Sequence, residues 1–373
     1  SFLEANNMSK NNLLQSQPQG QSVQCVPDTG FIEWLSHSKG SLVVSTYQAG
    51  KLLMIGWDGQ QLTLLMRQYD KPMGFNVSGK KLALATRNNI TIHANDPVLA
   101  RSYKKTGQYD ALYLPKVSWH TSDLNVHDIA FCNDGLWIVN TRFSCLAKLS
   151  DNCSFVPQWQ PSFVSALAPE DRCHLNGLAI VKDRPRYVTC LGQTDTPGGW
   201  RENKANSGVV IDIKTNEVVM RDLAMPHSPR YYRKHLYVLN SGGGELLRFD
   251  PEKNSHDVVC QLPGYLRGLS FVDNHAIIGL CKIRESNIFG GMPVQDKHDK
   301  LLCGIAIVNI KTGKQIGLFE FTAGCEEIFD TQFLEGITRP NILNPDRPEA
   351  LEAFNAPDFS YWVRPQNLIK DYT

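Results

Sequence analysis

Two histidines stand at corresponding places in two similar stretches of the sequence. His127 opens His127-Asp-Ile-Ala-Phe, and His227 lies within Met225-Pro-His-Ser-Pro-Arg; each stretch is followed by a short turn and an apolar run. Histidine exchanges protons near neutral pH and binds metal ions. We therefore predict His127, His227 and the adjacent Asp128 as catalytic residues, and the same three as ligands of one divalent metal ion. The alternative is that both histidines only join neighbouring strands through hydrogen bonds.

Arg267 stands directly before the apolar run Gly268-Leu-Ser-Phe, so its side chain is expected to be buried. A buried guanidinium requires a partner of opposite charge. Since Asp128 can neutralise only one such charge, the pattern predicts an anionic guest, either a small carboxylate- or phosphate-bearing molecule or a peptide. The predicted ligand-binding residues are Arg267, Asn176, Ser228, Asn240, Arg142, Trp200 and Arg201. For Asn240, the alternative is that it only begins a tight loop.

The segment over residues 194–206 is a long, polar loop that contains glycines, and it carries one tryptophan and one arginine. Long loops of this kind often carry function. We predict that it lies beside a pocket, with Trp200 stacking on a ligand or plugging the opening and Arg201 adding charge.

These residues belong to a module that occurs six times, roughly 40–55 residues apart. Each copy has a polar start, an apolar strand-forming run, a tight turn and a second run; the copies begin near residues 30, 73, 127, 174, 225 and 267. A degenerate all-β repeat of this period is typical of a propeller. The sequence therefore predicts an all-β, six-bladed β-propeller, with four-stranded antiparallel blades around a central channel. Polar residues at the starts of the inner strands would converge in one concavity, as ligand sites do.

The predicted organisation has three parts. Residues 1–25 are rich in Asn, Gln and Ser and are expected to form a loose arm. Residues 26–338 form the propeller, with the segment after Gly324 closing the ring beside the N-terminal blade. Residues 339–373 form a tail that packs on the outside.

Composition excludes several kinds of partner. With 38 basic and 37 acidic residues, the chain has no electrostatic signature of nucleic-acid binding. It contains no apolar run long enough for a membrane span and no leader-like start, so we predict no membrane partner. The ten cysteines are scattered, with no Cys-x-x-Cys pair, which favours a reducing, cytoplasmic location.

Several longer motifs resemble a family of bacterial proteins of unknown function. They are Cys173-His-Leu-Asn-Gly-Leu-Ala, Met225-Pro-His-Ser-Pro-Arg, Leu239-Asn-Ser-Gly, Gly244-Glu-Leu, Leu262-Pro-Gly and Arg267-Gly-Leu, within a resemblance that covers roughly residues 30–340. This resemblance implies a propeller and no assigned reaction; Cys281 departs from it, since a serine is usual there. The layout is more distantly similar to the gluconolactonase and strictosidine-synthase propellers. That similarity implies a divalent metal on the axis, held by Glu, Asn and Asp.

Two classes of function stay open. The first is a pocket for a small molecule or peptide, acting as a metal-assisted hydrolase, lyase or oxidoreductase. Its acidic residues are too few for calcium, so a His-rich site would suit iron, zinc or copper better. The second is a non-catalytic scaffold that binds a protein partner across its top face. Metal analysis of the purified protein would discriminate between the two.

Overall fold

Six small antiparallel sheets surround a common axis, which confirms the predicted all-β, six-bladed propeller. The computed structural model describes residues 22–283 and 290–363. The innermost strand of each sheet packs against the innermost strands of its two neighbours. We number the blades in chain order and call the end of the channel at which these innermost strands begin the upper end.

Blades 3, 4 and 5 each consist of four consecutive strands that run from the axis outward. Blade 3 comprises Val126–Cys132, Gly135–Asn140, Cys145–Lys148 and Val156–Trp159. Blade 4 comprises Leu175–Val181, Arg184–Cys190, Gly208–Asp212 and Glu217–Leu223. Blade 5 comprises Pro226–Tyr232, His235–Asn240, Glu245–Asp250 and Ser255–Gln261.

Blades 2 and 6 each gain a fifth strand at the outer edge. Blade 2 comprises Phe75–Ser78, Lys81–Ala85, Asn89–Asn95 and Ala111–His120, with Pro340–Ile342 added in parallel. Blade 6 comprises Tyr265–Val272, His275–Cys281, Gly304–Asn309 and Lys314–Ala323, with Gln24–Pro27 added in antiparallel. Gln24 and Cys25, which were expected to belong to a loose arm over residues 1–25, lie in this strand; residues 1–21 lie outside the described part of the chain.

Blade 1 closes the ring with strands from both ends of the domain. Its innermost strand is Asp330–Glu335, and Gly40–Ser45, Lys51–Trp57 and Leu62–Gln68 follow outward. Asp330 pairs with Ser45, and Glu335 pairs with Gly40. The segment after Gly324 thus supplies a strand of blade 1 itself.

The start of blade 1 predicted near residue 30 is wrong, because this segment is the helix α1 (Thr29–His37). Asp28 caps the helix by accepting a hydrogen bond of 2.7 Å from the backbone N–H of Phe31. Phe31, Trp34 and Leu35 are buried on one face, at the three- and four-residue spacing of a helix. The apolar residues that suggested a strand therefore follow the helical period.

The remaining elements are short. They are the helices Pro97–Arg101 and Pro293–Lys297, the 3-10 turns Tyr47–Ala49, Gly199–Arg201, Ser241–Gly243 and Pro348–Leu351, and the hairpin Ala353–Ala356 and Phe359–Trp362. The hairpin lies against blade 2, where Trp362 donates a hydrogen bond to Ser102 and contacts the ring of Tyr103. Among the described residues, no helix has both the length and the apolar composition for a membrane crossing. All ten cysteines are free.

Candidate functional site

One residue from each blade stands at the start of the innermost strand, directly before a glycine, aspartate or serine. The six are Met73, His127, Asn176, His227, Arg267 and Phe329. The strands approach closely at the following position: a Cβ atom added to Gly268 would lie 2.9 Å from the Cα atom of Asp330. Gly268 also has a φ of +87°, which favours glycine. Close packing at this level therefore separates an upper cavity from the rest of the channel.

The upper cavity has a volume of about 360 Å³ and lies on the axis. Its lining comprises Tyr47, Gln48, Asn125, His127, Asp171, His174, Trp200, Arg201, Met225, His227, Arg267, Glu327 and Phe329. Five residues predicted from the sequence are among them: His127, His227, Arg267, Trp200 and Arg201. Polar groups thus converge with aromatic side chains, as is usual for small-molecule sites.

His127 is held through one ring nitrogen. Its Nδ1 lies 2.9 Å from the carbonyl oxygen of Asn125 and 2.8 Å from Oγ1 of Thr141. The Thr141 hydroxyl itself donates to the carbonyl oxygen of Leu175, at 2.6 Å. Because a carbonyl oxygen only accepts, Nδ1 of His127 carries the proton, and Nε2 is left as an acceptor.

His227 repeats this arrangement two blades away. Its Nδ1 lies 2.8 Å from the carbonyl oxygen of Met225 and 3.0 Å from Oγ of Ser241. Asn125 and Met225, each two residues before its histidine, both have left-handed backbones, with φ of 54° and 53°. In both places, the carbonyl group of this left-handed residue faces the imidazole ring two positions later. Both rings therefore offer an unprotonated Nε2 as the remaining hydrogen-bonding atom.

Both rings are uncharged at neutral pH. Burial lowers the pKa of His127 well below 6.5, and the neighbouring His174 and Arg267 lower it further. Burial likewise lowers the pKa of His227, with Arg267 and His174 adding to the effect. The two imidazoles thus act as neutral acceptors.

Arg267 is buried as predicted, but its charge is already paired. Its Nη1 lies 2.5 Å from Oε1 of Glu327, and its guanidinium carbon lies 4.3 Å from the centre of the Phe329 ring. The prediction of an anionic ligand assumed that the charge of Arg267 is unpaired, so Arg267 no longer supports it. Glu327 and Phe329 both come from the segment that leads into the closing strand of blade 1.

Asp128 does not join the histidines. Arg230 donates to its Oδ2 at 2.7 Å, and the backbone N–H of Leu178 donates to the same oxygen at 3.0 Å. Arg230 also lies 3.5 Å from Asp330, and a second cavity of about 290 Å³ is lined by Arg230 and Asp330. Asp128 thus belongs to a buried ionic layer that joins blades 1, 3, 4 and 5, and it is not brought to the upper cavity as a catalytic or metal-binding group.

Four further predicted ligand-binding residues lie outside the cavity lining. Asn176 donates to the carbonyl oxygen of Pro226 at 3.0 Å, and Ser228 accepts from the backbone N–H of Gly268 at 3.0 Å. Both therefore join one blade to the next. The other two brace loops: Asn240 bonds to Ala224 and Glu245, and Arg142 bonds to Asp123.

Trp200 forms part of the cavity wall and is only 2 % exposed. Its ring lies 4.6 Å from that of His174, and the guanidinium of Arg201 lies 4.5 Å from the Trp200 ring. The loop that carries Trp200 is fixed to blade 4, because Arg172 pairs with Asp195 at 2.9 Å.

Several lining residues were not among the predicted catalytic, metal-binding or ligand-binding residues, notably Tyr47, Asp171, His174, Glu327 and Phe329. His174 stands two residues before Asn176, inside the motif Cys173-His-Leu-Asn-Gly, so the available signal was a third histidine beside an inner strand. Its Nδ1 lies 2.8 Å from Oδ2 of Asp171. The ring of His174 meets that of His127 edge-on, at 4.7 Å between centres.

A second space borders the cavity on the upper face. A neighbouring groove of about 610 Å³ shares Tyr47 and Gln48 with it and is also lined by Gly50, Gln68, Tyr69, Asp70, Lys71, Arg87 and Asp346. Tyr47 separates the two spaces, with its ring stacked on Phe329 at 5.5 Å.

The geometry does not assemble a metal centre from the predicted residues. In residues 22–283 and 290–363, no group of three or more His, Cys, Asp or Glu side chains is arranged to hold a metal ion. Since both oxygens of Asp128 already accept hydrogen bonds, the set His127, His227 and Asp128 is not brought together as ligands.

Comparison with known proteins agrees with the fold and leaves the activity open. A family model described as a domain of unknown function matches residues 29–343. Among solved structures, the chain is similar to a protein in the "Crystal structure of Nidogen/Laminin Complex", with a TM-score of 0.52 and 9 % identity over 80 % of this chain and 99 % of that one. At this identity the likeness shows the fold alone. A search of curated proteins gives no match.

Proposed function

This chain belongs to the DUF4915 family of proteins of unknown function, and we propose that its axial cavity binds a small polar molecule. The observation that carries the proposal is the repeated setting of His127 and His227. In both, Nδ1 is occupied by a backbone carbonyl group, and the ring lines one cavity of about 360 Å³. Two neutral acceptors in a partly aromatic cavity are suited to a ligand that donates hydrogen bonds.

The ligand class follows from the groups that remain available. Hydroxyl groups of the ligand would donate to Nε2 of His127 and His227. Arg201, which is exposed where the cavity opens, would favour a carboxylate or phosphate at the other end of the ligand. We therefore propose a small anionic molecule that also carries hydroxyl groups, such as a hydroxy acid or a sugar phosphate.

The low pKa values of His127 and His227 favour binding over proton abstraction. A base with a pKa far below the working pH accepts a proton only weakly in a transition state. These two histidines are thus better suited to orienting a ligand than to reacting with it.

A peptide is the second candidate, because the groove of about 610 Å³ leads away from the axial cavity. A ligand passing over Tyr47 would place one end on the axis and the rest among Lys71, Arg87 and Asp70. Mixed charges in this groove suit a chain with both donors and acceptors.

The test is a thermal-shift screen that compares polyols, hydroxy acids, sugar phosphates, short peptides and divalent metal ions. We expect hydroxy acids or sugar phosphates to raise the Tm of the wild type, and His227→Gln to lose the effect. His256→Gln is the matched control, because His256 is exposed on the outermost strand of the same blade. Arg201→Gln should weaken binding of the acids more than that of matching polyols.

If no compound or metal ion raises the wild-type Tm, the ligand-binding proposal fails. A scaffold that binds a protein partner across the upper face then becomes the better account. Equal shifts in wild type and His227→Gln would place the ligand elsewhere.

Ten free cysteines also support the proposal of a reducing, cytoplasmic location. Reaction with a thiol reagent in intact cells would test this, since a protein from an oxidising compartment would yield fewer reactive thiols.

A further inference from the structure

We infer that His174, oriented by Asp171, is the proton-accepting residue of the axial cavity and acts on a hydroxyl group of the bound ligand. The inference rests on the proposed function, because it requires a ligand in that cavity. It adds a chemical step to what would otherwise be a binding site.

The setting of His174 differs from that of the other two histidines. Its Nδ1 contacts a carboxylate oxygen, Oδ2 of Asp171, at 2.8 Å, whereas Nδ1 of His127 and of His227 contacts a carbonyl oxygen and a hydroxyl oxygen. A carboxylate fixes the ring with its proton on Nδ1 and stabilises the imidazolium once a second proton arrives at Nε2. His174 is therefore the histidine of this cavity best equipped to accept a proton.

The second oxygen of Asp171 strengthens this distinction. Oδ1 is buried and makes no hydrogen bond within the described part of the chain. The Asp171 side chain as a whole is 22 % exposed, so water still reaches part of the carboxylate. A proton on Nε2 of His174 would place a positive charge beside this incompletely hydrogen-bonded group.

The imidazole of His174 is also held firmly. It lies between the edge of His127, at 4.7 Å, and the ring of Trp200, at 4.6 Å. Asp171 and His174 both have left-handed backbones, with φ of 48° and 49°. The backbone N–H of Asp171 donates to the carbonyl oxygen of Arg142 at 2.9 Å. Packing and hydrogen bonding thus fix both partners before a ligand arrives.

The proposed step is balanced within the site. The ligand O–H bond breaks, its proton moves to Nε2 of His174, and the electron pair stays on the ligand oxygen. The imidazolium is paired with Asp171, and the new oxyanion lies in a cavity that is also lined by Arg201 and by the ion pair of Arg267 and Glu327. His174 is the catalytic residue of this step, and Asp171 is a positioning residue.

Diethyl pyrocarbonate tests the step without a known substrate. It transfers an ethoxycarbonyl group to an unprotonated imidazole nitrogen and releases ethanol and carbon dioxide. In the wild type, we expect His174 to react faster than His127 and His227. In Asp171→Asn, His174 should react roughly tenfold more slowly than in the wild type, which is the size of effect seen when other partners that orient a histidine are removed. Peptide mass spectrometry measures each rate, and the exposed His256 reports on reagent activity.

Asn at position 171 keeps the size of Asp and tolerates the left-handed backbone, so the variant is expected to fold. Nitrogen-15 NMR of the wild type provides a measurement that needs no variant: it should show the proton of neutral His174 on Nδ1. A proton on Nε2, or equal reaction rates in wild type and Asp171→Asn, would overturn the inference. If the reaction rates are equal but a ligand still raises the Tm of Asp171→Asn, the inference about His174 fails and the proposed binding function stands.

Discussion

Asp330→Asn tests the buried ionic layer below the cavity. Asp330 is 4 % exposed and shares the guanidinium of Arg230 with Asp128. The pKa of Asp330 is raised from 3.8 to about 7, because burial and the neighbouring Asp128 outweigh the lowering effect of Arg230. Asparagine removes the titrating proton and keeps the shape of the side chain.

The sign follows from proton binding. Between pH 4 and pH 7 the folded protein holds a proton on Asp330 that the unfolded chain has released, so this residue lowers the free energy of unfolding as the pH rises. Each pH unit in this window is worth at most about 1.4 kcal/mol, so the full loss is bounded by ~4 kcal/mol. We expect a smaller value, because solvent and side chains relax around the charge.

The assay is urea denaturation of wild type and Asp330→Asn at a series of pH values from 4 to 8. Taking the difference between the two proteins cancels the titration of groups that they share. Near pH 4 the two should be similarly stable, and the wild type should fall behind the variant by a few kcal/mol toward pH 8. Parallel curves over the whole range would refute the assignment of a protonated Asp330.

Three further outcomes are expected. Trp200→Ala should lower the free energy of unfolding by about 3–5 kcal/mol, measured by urea denaturation, because the side chain is buried; an unchanged Tm would contradict its place in the wall. Since the pKa of His127 is lowered in the folded protein, its stabilising contribution is present above pH 6.5 and is lost as the pH falls. The free energy of unfolding of the wild type should therefore fall relative to that of His127→Gln between pH 6.5 and pH 5, and a constant difference would contradict this. Gly268→Ala should lower the free energy of unfolding, measured by thermal denaturation, by more than about 1 kcal/mol, because the φ of Gly268 is +87° and a Cβ atom would meet Asp330. A substitution without effect on stability would contradict the close approach of the inner strands.

The blades could be predicted from the sequence wherever one blade is built from consecutive strands. Apolar runs such as Leu236–Leu239 alternate with turns, and this local pattern depends only on neighbouring residues. Blade 1 could not be predicted in this way, because its inner strand is supplied from residue 330 onward and its first apolar stretch is a helix. The cap at Asp28 and the spacing of Phe31, Trp34 and Leu35 were the local signals that distinguished helix from strand.

The candidate site, too, could be predicted only where it depends on residues that are close in the sequence. It could be predicted that His127 and His227 approach one another, because they occupy corresponding places in two copies of the module. The partner of Arg267 could not be identified, since Glu327 lies 60 residues away and the two meet only across a blade boundary. Asp128 and His127 are adjacent in the sequence, and this gave no indication that their side chains lie at different levels of the channel.

The way the ring closes also bears on how this protein folds. Residues 40–45 can pair locally with residues 51–57, but on their other side they must wait for residues 330–335. Residues 24–27 must wait for residues 314–323. Contacts between such distant parts of a chain slow folding, because a long loop has to close before the contacts can stabilise it. During synthesis, blades 3 to 5 can assemble as they emerge, whereas blade 1 stays open until Glu335 has been made. Since Glu327 and Phe329 arrive with the same segment, the cavity is completed in the closing step, and a chain that has not yet closed its ring has no finished site.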